Sequence, residues 1–418
     1  MNQPLRRLLL SPRTLFVLLL SGIGVVGGGY LAGEMTPLLF PAQASAEARQ
    51  VDDLFRFLMI IAGAIWFLVQ GLIVFAIIAY RRRPGDDADG PSWHGNRLLE
   101  FVWTFIPSVI VFVLVVFSYQ VWVDITTPKA DENQVLGYDV VPVFAEGQQF
   151  AWRFTYSVTL PDSGREIKVV SPSLHTFVGQ NVHLTMETAD VIHSFWVPAF
   201  RIKQDLLPGY TTDVRFTPTL ATEVVWENGE PVHHGYPIVC AELCGSGHGS
   251  MRSQVIVHAT ESDFVESFLQ PEIDFIINPP TDPVLIGQKL LADNVYGCAS
   301  CHTLETPHFS WDGNQAPVLN GIGTRASLRI AGYSAKDYLL ESLGNSPAFL
   351  VPGDWPAVMT VFQAEDSTLA TYMPLGDQQA IAAYLCTVTA DPDAEPACEI
   401  ELSAPTSLDA PEAASEAS

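Results

Sequence analysis

The chain has 418 residues, 48% of them hydrophobic and only 16% charged, with 46 acidic against 21 basic residues and a net charge of −25. That length allows two or three domains, and an apolar excess concentrated near the N-terminus points to membrane segments rather than one soluble core. The acid excess excludes nucleic acid as a natural partner, because a phosphate backbone requires clustered Lys and Arg; it suits a basic protein partner or plain solubility.

Residues 1–44 carry Arg6, Arg7 and Arg13, an uncharged run at 14–33, and the small-residue stretch AQA at 42–44. This reads as a signal peptide or an extra transmembrane helix. Two uncharged runs follow, at 57–80 and 101–123. At ~1.5 Å rise per residue, each is long enough to cross a hydrocarbon core of ~30 Å. Residues 45–123 are therefore predicted to form a transmembrane helical hairpin. Arg81, Arg82 and Arg83 lie between the two runs. Cytoplasmic loops collect such charge, so everything after Val123 faces outward, where disulfides persist.

From 124 to 270 the pattern alternates, as in HLTMETA and SQVIVHA, between turn residues. Short strands at such intervals predict an antiparallel sandwich. PEIDFIINPPTDP at 271–283 reads as a linker whose prolines oppose a helix. Residues 284–390 turn helical in VLIGQKLLADNVYG, SAKDYLLESLG and GDQQAIAAYLCTV. The acidic, Pro/Ala/Ser-rich tail at 391–418 is expected to be disordered. Cys386 and Cys398 either close a disulfide across the start of that tail or remain free thiols.

CASCH at 298–302 is a C-x-x-C-H haem attachment signature. Cys298 and Cys301 can add to the two vinyl groups of one haem while His302 reaches the iron. A Met further on would supply the sixth ligand. Met359 follows a Pro-Gly turn with a loop long enough to reach across, whereas Met373 sits beside Pro374 at the start of the last helix. Met359 is the favoured ligand and Met373 the runner-up.

CAELCGSGHGSM at 240–251 gathers Cys240, Cys244, His248 and Met251 in one loop. Thiolates select copper, zinc or iron–sulfur clusters. A Cys2His2 zinc site is the structural alternative, and a disulfide is another. A mononuclear blue copper needs only one Cys, and zinc would rarely use the Met. A second imidazole is available in His193, in VIHSFWVP; His175, His183, His233, His234 and His258 read as surface or packing residues.

HSFWVPAFRIKQDLLPG, CAELCGSGHGSM and HGNRLLEFVWTFIP together resemble subunit II of the haem–copper cytochrome c oxidases, over about residues 50–265. The remainder resembles the variants that carry a fused cytochrome c. The resemblance implies a multidomain fold: a transmembrane hairpin, a cupredoxin-like β-sandwich, then an all-α class I cytochrome c domain. It also implies a binuclear copper centre, CuA, in which Cys240 and Cys244 bridge both ions, His193 and His248 each cap one, and Met251 and the Glu242 carbonyl complete the spheres. The Glu242 side chain would then be free for a magnesium shared with subunit I, and Glu100 would match a proton-uptake entrance. The implied partners are subunit I, other oxidase subunits and an external cytochrome c or other donor protein. The implied location is the bacterial inner membrane, multi-pass, with the copper and haem domains on the outer side.

One departure stands out. Where family members that use a free cytochrome c carry a Trp after a Gln, GQQFAWRFTY has Phe150, with Trp152 two residues on. This fits a chain whose own tethered haem delivers electrons, and both rings also suit a sandwich core. A short linker would give the haem an effective concentration in the mM range. The alternatives are a CuA donor subunit of a nitric oxide reductase and a stand-alone carrier or copper-delivery protein. A quinol oxidase subunit would lack the copper ligands.

Overall fold

A computed structural model describes residues 12–81, 85, 95–129, 132–135, 138–140, 143–227, 230–353, 359, 362, 372–391 and 393–407. Arg82 and Arg83 of the inter-helix loop, and residues 408–418 of the tail, lie outside the described residues. The chain forms two compact units, Met1–Thr127 and Pro128–Ser418.

In the first unit, α1 (Pro12–Glu34) is followed by α2 (Ala46–Ala79) and α3 (Arg97–Thr126). Ser45 caps α2 by accepting from the Ala48 N–H at 3.0 Å, and Asn96 caps α3 by accepting from Leu98 and Leu99. Both α2 and α3 are long and apolar enough to cross a membrane, and their apolar side chains face outward. Small residues let α1 lie directly on α2. A Cβ at Gly29 would meet the Ile60 carbonyl at 2.5 Å, and one at Gly63 would meet Ala32 at 2.8 Å. Arg56 of α2 pairs with Glu34 at the end of α1.

The second unit opens with a β-sandwich. One sheet contains β1 (Asp139–Val140), β2 (Val143–Gln148), β3 (Ala151–Thr159), β4 (Glu166–Ser171), β6 (Val182–Thr188) and β9 (Thr212–Phe216). The other runs β5–β13–β12–β7–β8, from β5 (Leu174–Phe177), β7 (His193–Val197), β8 (Ile202–Leu206), β12 (Tyr236–Cys240) and β13 (Arg252–His258). A hairpin of β10 (Glu223–Glu227) and β11 (Glu230–His234) stands apart. Alternating buried positions along β2, β3 and β6 feed the core, where Phe154, Leu184, Met186, Phe195 and Ile238 are fully enclosed.

The predicted linker is shorter than expected. After α4 (Glu261–Phe264) a π-turn over Val265–Leu269 leads into α5 (Gln270–Ile277). Pro271 stands at the start of α5, just after the widened turn, where its missing N–H is tolerated. Only residues 278–282 connect α5 to α6 (Pro283–Ala292).

Beyond α6 come α7 (Ile322–Ala326), α8 (Ala335–Gly344) and α9 (Leu375–Thr387). This part is not purely helical, since β14 (Thr303–Glu305) pairs with β15 (Ser310–Asp312). The helix α9 is buried on every side from Gly376 to Cys386. The reason corrects the expectation of a disordered tail. Cys398 is disulfide-bonded to Cys386, Ile400 is 6% exposed, Gln379 holds Ser403 through both amide atoms, and Asp377 accepts from the Ser407 N–H at 2.8 Å. An acidic, proline-rich composition does not reveal that an apolar anchor, two polar contacts and a covalent tie will order it.

Candidate metal centre and C-terminal cavity

Antiparallel pairing of β12 with β7 sets Cys240 opposite Phe195, so the start of β7 lies beside the loop that leaves β12. His193 occupies that start and is fully buried. Its Nδ1 lies 3.8 Å from Cys240 Sγ. Cys240 Sγ is 3.8 Å from Cys244 Sγ, and Cys244 Sγ is 3.6 Å from His248 Nδ1 and 3.8 Å from Met251 Sδ. The Glu242 carbonyl approaches Cys240 Sγ at 3.2 Å, while the Glu242 residue is exposed. The predicted loop residues and His193 thus converge on one point.

The donor set fits a soft metal. The thiols are free, at nearly twice the ~2.05 Å of a disulfide bond. Two sulfurs 3.8 Å apart can both reach one ion, because two metal–sulfur bonds of ~2.3 Å span more than that. Burial opposes charging His193, but its hydrogen bonds to Asp190 and Cys240 prevail and carry it up to about 9. Burial likewise opposes the Cys240 thiolate, but His193 and nearby backbone N–H groups bring that thiol down to about 6. Cys244 is pushed up to about 12 by burial and by the neighbouring Cys240. Metal binding to such a set displaces protons.

Sequence reasoning missed the residues that hold these side chains. Asp190 Oδ1 accepts from His193 Nε2 at 2.8 Å, which leaves Nδ1 facing the thiols. Its Oδ2 accepts from the Gln149 N–H at 2.7 Å, and the Gln149 amide donates to the Cys244 carbonyl. The turn between β2 and β3 is thereby tied to both halves of the site. Phe150 packs under the loop, where a Cβ at Gly247 would meet its ring at 2.4 Å, and Trp152 stands edge-on to His193 with centroids 6.3 Å apart. Glu100 is exposed in the first turn of α3, in the other unit. His175 and His258 sit 3.1 Å apart, away from the thiols, and stack on aromatic rings.

The C-terminal part encloses an apolar cavity of about 220 Å³, lined by Cys298, His302, Leu339, Leu343, Met359 and Ile381 among others. The attachment turn is shaped by Gly297 at φ +70° and by Asn294, whose Oδ1 accepts from the Ala299 N–H at 2.9 Å. His302 Nδ1 donates to the Pro317 carbonyl at 2.7 Å, so Nε2 is the free nitrogen. Burial lowers the His302 pKa and keeps the ring neutral, as a metal ligand must be. Met359 lines this cavity; Met373 is wholly buried elsewhere in the core. Arg329 also lines it, with a buried Nε that has no hydrogen-bond partner among the described residues. An apolar slot with a thiol, a neutral imidazole, a thioether and an unpaired guanidinium nitrogen fits a haem with its acidic side chains.

These features define a β-sandwich protein with two long apolar N-terminal helices and a two-thiol site suited to a soft metal. The family profile described as cytochrome c oxidase subunit II, transmembrane domain, matches residues 33–121, and that of the periplasmic domain matches residues 141–260. The cytochrome c oxidase subunit 2 of Synechocystis sp. is 34% identical, over 53% of this chain and 73% of its own length. That of Thermostichus vulcanus is 38% identical, over 53% and 76%. That of Alkalihalophilus pseudofirmus is 30% identical, over 76% and 84%. The chain belongs to the cytochrome c oxidase subunit II family, and is thus the copper-bearing subunit through which electrons enter a haem–copper oxidoreductase. Its sandwich is the family's cupredoxin-like periplasmic domain, and membership implies a complex with subunit I and other oxidase subunits.

Proposed function

We propose that this chain takes electrons from an external donor protein through a covalent haem c of its own, held in the C-terminal cavity, and hands them through CuA to subunit I. When bound, the two cofactors supply successive one-electron stations. Cys240 and Cys244 would supply thiolates to the two coppers, His193 and His248 imidazoles, and Met251 and the Glu242 carbonyl the remaining donors. Cys298 and Cys301 would bind the haem covalently, with His302 and Met359 on its iron. The observation that carries the haem reading is the cavity itself, which brings Cys298, His302 and Met359 to one apolar slot. Arg329 supports it, since its buried Nε would find an acceptor in a haem propionate. The similarity to the Alkalihalophilus pseudofirmus protein also supports a shared C-terminal domain, because its share of this chain exceeds what residues 1–260 can supply.

The rest of the site follows the same reading. The Glu242 side chain, exposed at the loop tip, would serve a magnesium shared with subunit I, and Glu100 would mark a proton-uptake entrance. We also propose that α1 is retained as a third helix of a multi-pass membrane unit, on the strength of its glycine contacts with α2. Nothing favours the nitric oxide reductase or stand-alone carrier readings, and the relatives named above are cytochrome c oxidase subunits. The test is metal analysis and electron paramagnetic resonance on the full chain. Two coppers with one unpaired electron split by both nuclei, together with one covalent haem, is the expected result. One zinc, a single-copper signal or absence of covalent haem overturns the corresponding half.

A further inference from the structure

The short link of residues 278–282 invites the picture of a tethered domain that diffuses. The side chains around it argue otherwise. The helix α5 belongs to the sandwich: Ile273 is 2% exposed, and Tyr138 on the sandwich side donates to Gln270 at 2.5 Å. The helix α6 belongs to the C-terminal part, whose core takes Ile286, Leu290 and Leu291. Lys289 of α6 crosses between them. Its Nζ donates to Glu272 of α5 at 2.7 Å and to Asp293 at 2.5 Å, and it lies 5.7 Å from the Phe275 ring centre. All three charged side chains are about four-fifths buried. Lys289 is also one of only four Lys or Arg residues beyond residue 260.

Two further contacts lie at the other end of the junction. A Cβ at Gly297 would sit 3.1 Å from Gln148 Nε2 and 4.0 Å from Ala151 Cβ. Ser250 Oγ, next to Met251, is 3.5 Å from the Ser300 carbonyl. Between these contacts runs a polar cleft of about 390 Å³, lined by Phe150, Trp152, Arg252, Asn294, Trp311 and Asp312. A junction so loosely filled gains little from packing. The Lys289 cluster is its best-made polar contact, and breaking a buried pair leaves uncompensated charge.

We propose that Lys289 is an interdomain latch, a positioning residue that holds the C-terminal domain seated on the β2–β3 turn and the metal loop. In the latched form this face of the sandwich is covered by the chain's own domain and is closed to an external donor, which must therefore engage the C-terminal domain. The inference rests on the haem reading for its functional meaning, but its test needs neither cofactor. Hydrogen exchange of the full chain in detergent is followed at residues 147–152 and 297–300, beside protease cleavage within 278–282. Lys289→Gln is expected to speed exchange at both faces and cleavage of the link by on the order of tenfold, the loss of charge-assisted bonds to two carboxylates. Lys289→Arg, which keeps the charge, is expected to restore most of the protection. Glu272→Gln changes only the sandwich side, so it is expected to loosen both faces while α9 exchanges as before. Should Lys289→Gln also loosen α9, the Glu272→Gln result decides. Unchanged exchange and cleavage in Glu272→Gln, or in a Lys289→Gln chain with α9 intact, would overturn the latch. Haem attachment and copper content, measured on the same samples, report separately on the haem and copper assignments.

Discussion

Asp190 offers the sharpest test of how the metal loop is held. It touches no thiol, yet its two carboxylate oxygens bond His193 Nε2 at 2.8 Å and the Gln149 N–H at 2.7 Å, and its side chain is 30% exposed. Asp190→Ala frees the imidazole to rotate and to change tautomer, and releases the β2–β3 turn from the site. Loss of such an outer partner costs about 10–100-fold in metal affinity, equivalent to about 1.4–2.8 kcal/mol. Asp190→Asn keeps an acceptor of the same shape without the charge and should fall between Ala and the parent. The assay is copper titration of the full chain against a competing chelator, with the resonance spectrum recorded at saturation. Parent-like copper affinity and spectrum in Asp190→Ala would refute the claim that this carboxylate orients His193.

The other expectations are more local. Met359→Ala should abolish the Met-ligated signature of the haem and lower its potential. Met373→Ala should leave that signature intact and cost about 2–5 kcal/mol of stability through a core cavity, because the side chain is wholly buried; chemical denaturation separates the two, and the reverse pattern would exchange their roles. Burial opposes the Glu132 carboxylate, yet the Lys129 N–H at 2.9 Å and Arg215 at 2.7 Å hold it below its ordinary 4.5. A carboxyl lowered on folding stabilises above its unfolded value and loses that contribution as pH falls through the folded one. Glu132→Gln should therefore weaken the second unit at neutral pH by about 1–3 kcal/mol and flatten its acid-denaturation slope below pH 4.5; an unchanged slope would remove Glu132 from the account. Gly29→Leu places side-chain atoms where the Ile60 carbonyl already stands. It should destabilise the α1–α2 pair by about 1–3 kcal/mol, read as faster proteolysis of α1, and an intact mass lacking residues 1–44 would refute retention of that helix.

What the sequence determined by itself is what short-range geometry decides. The C-x-E-x-C-x3-H-x2-M spacing and the C-x-x-C-H segment each bring several ligand atoms into one turn, and both are readable without a fold. The transmembrane runs are equally plain, because lipid demands a long apolar helix whatever surrounds it. His193 lies 47 residues before Cys240, and its membership came from resemblance, since only the β7–β12 pairing brings it to the loop. Asp190, Gln149 and Pro317 carry no signal beyond proximity in sequence to a ligand or a turn. In the sequence Met359 over Met373 is a choice of loop length; in the structure Met359 lines the apolar cavity and Met373 lies wholly buried. The tertiary structure alone decided that residues 393–407 are ordered and that α5 continues the sandwich. Composition there favours disorder or a break, and it is overridden by the burial of Ile400 and Ile273 against surfaces formed by distant parts of the chain.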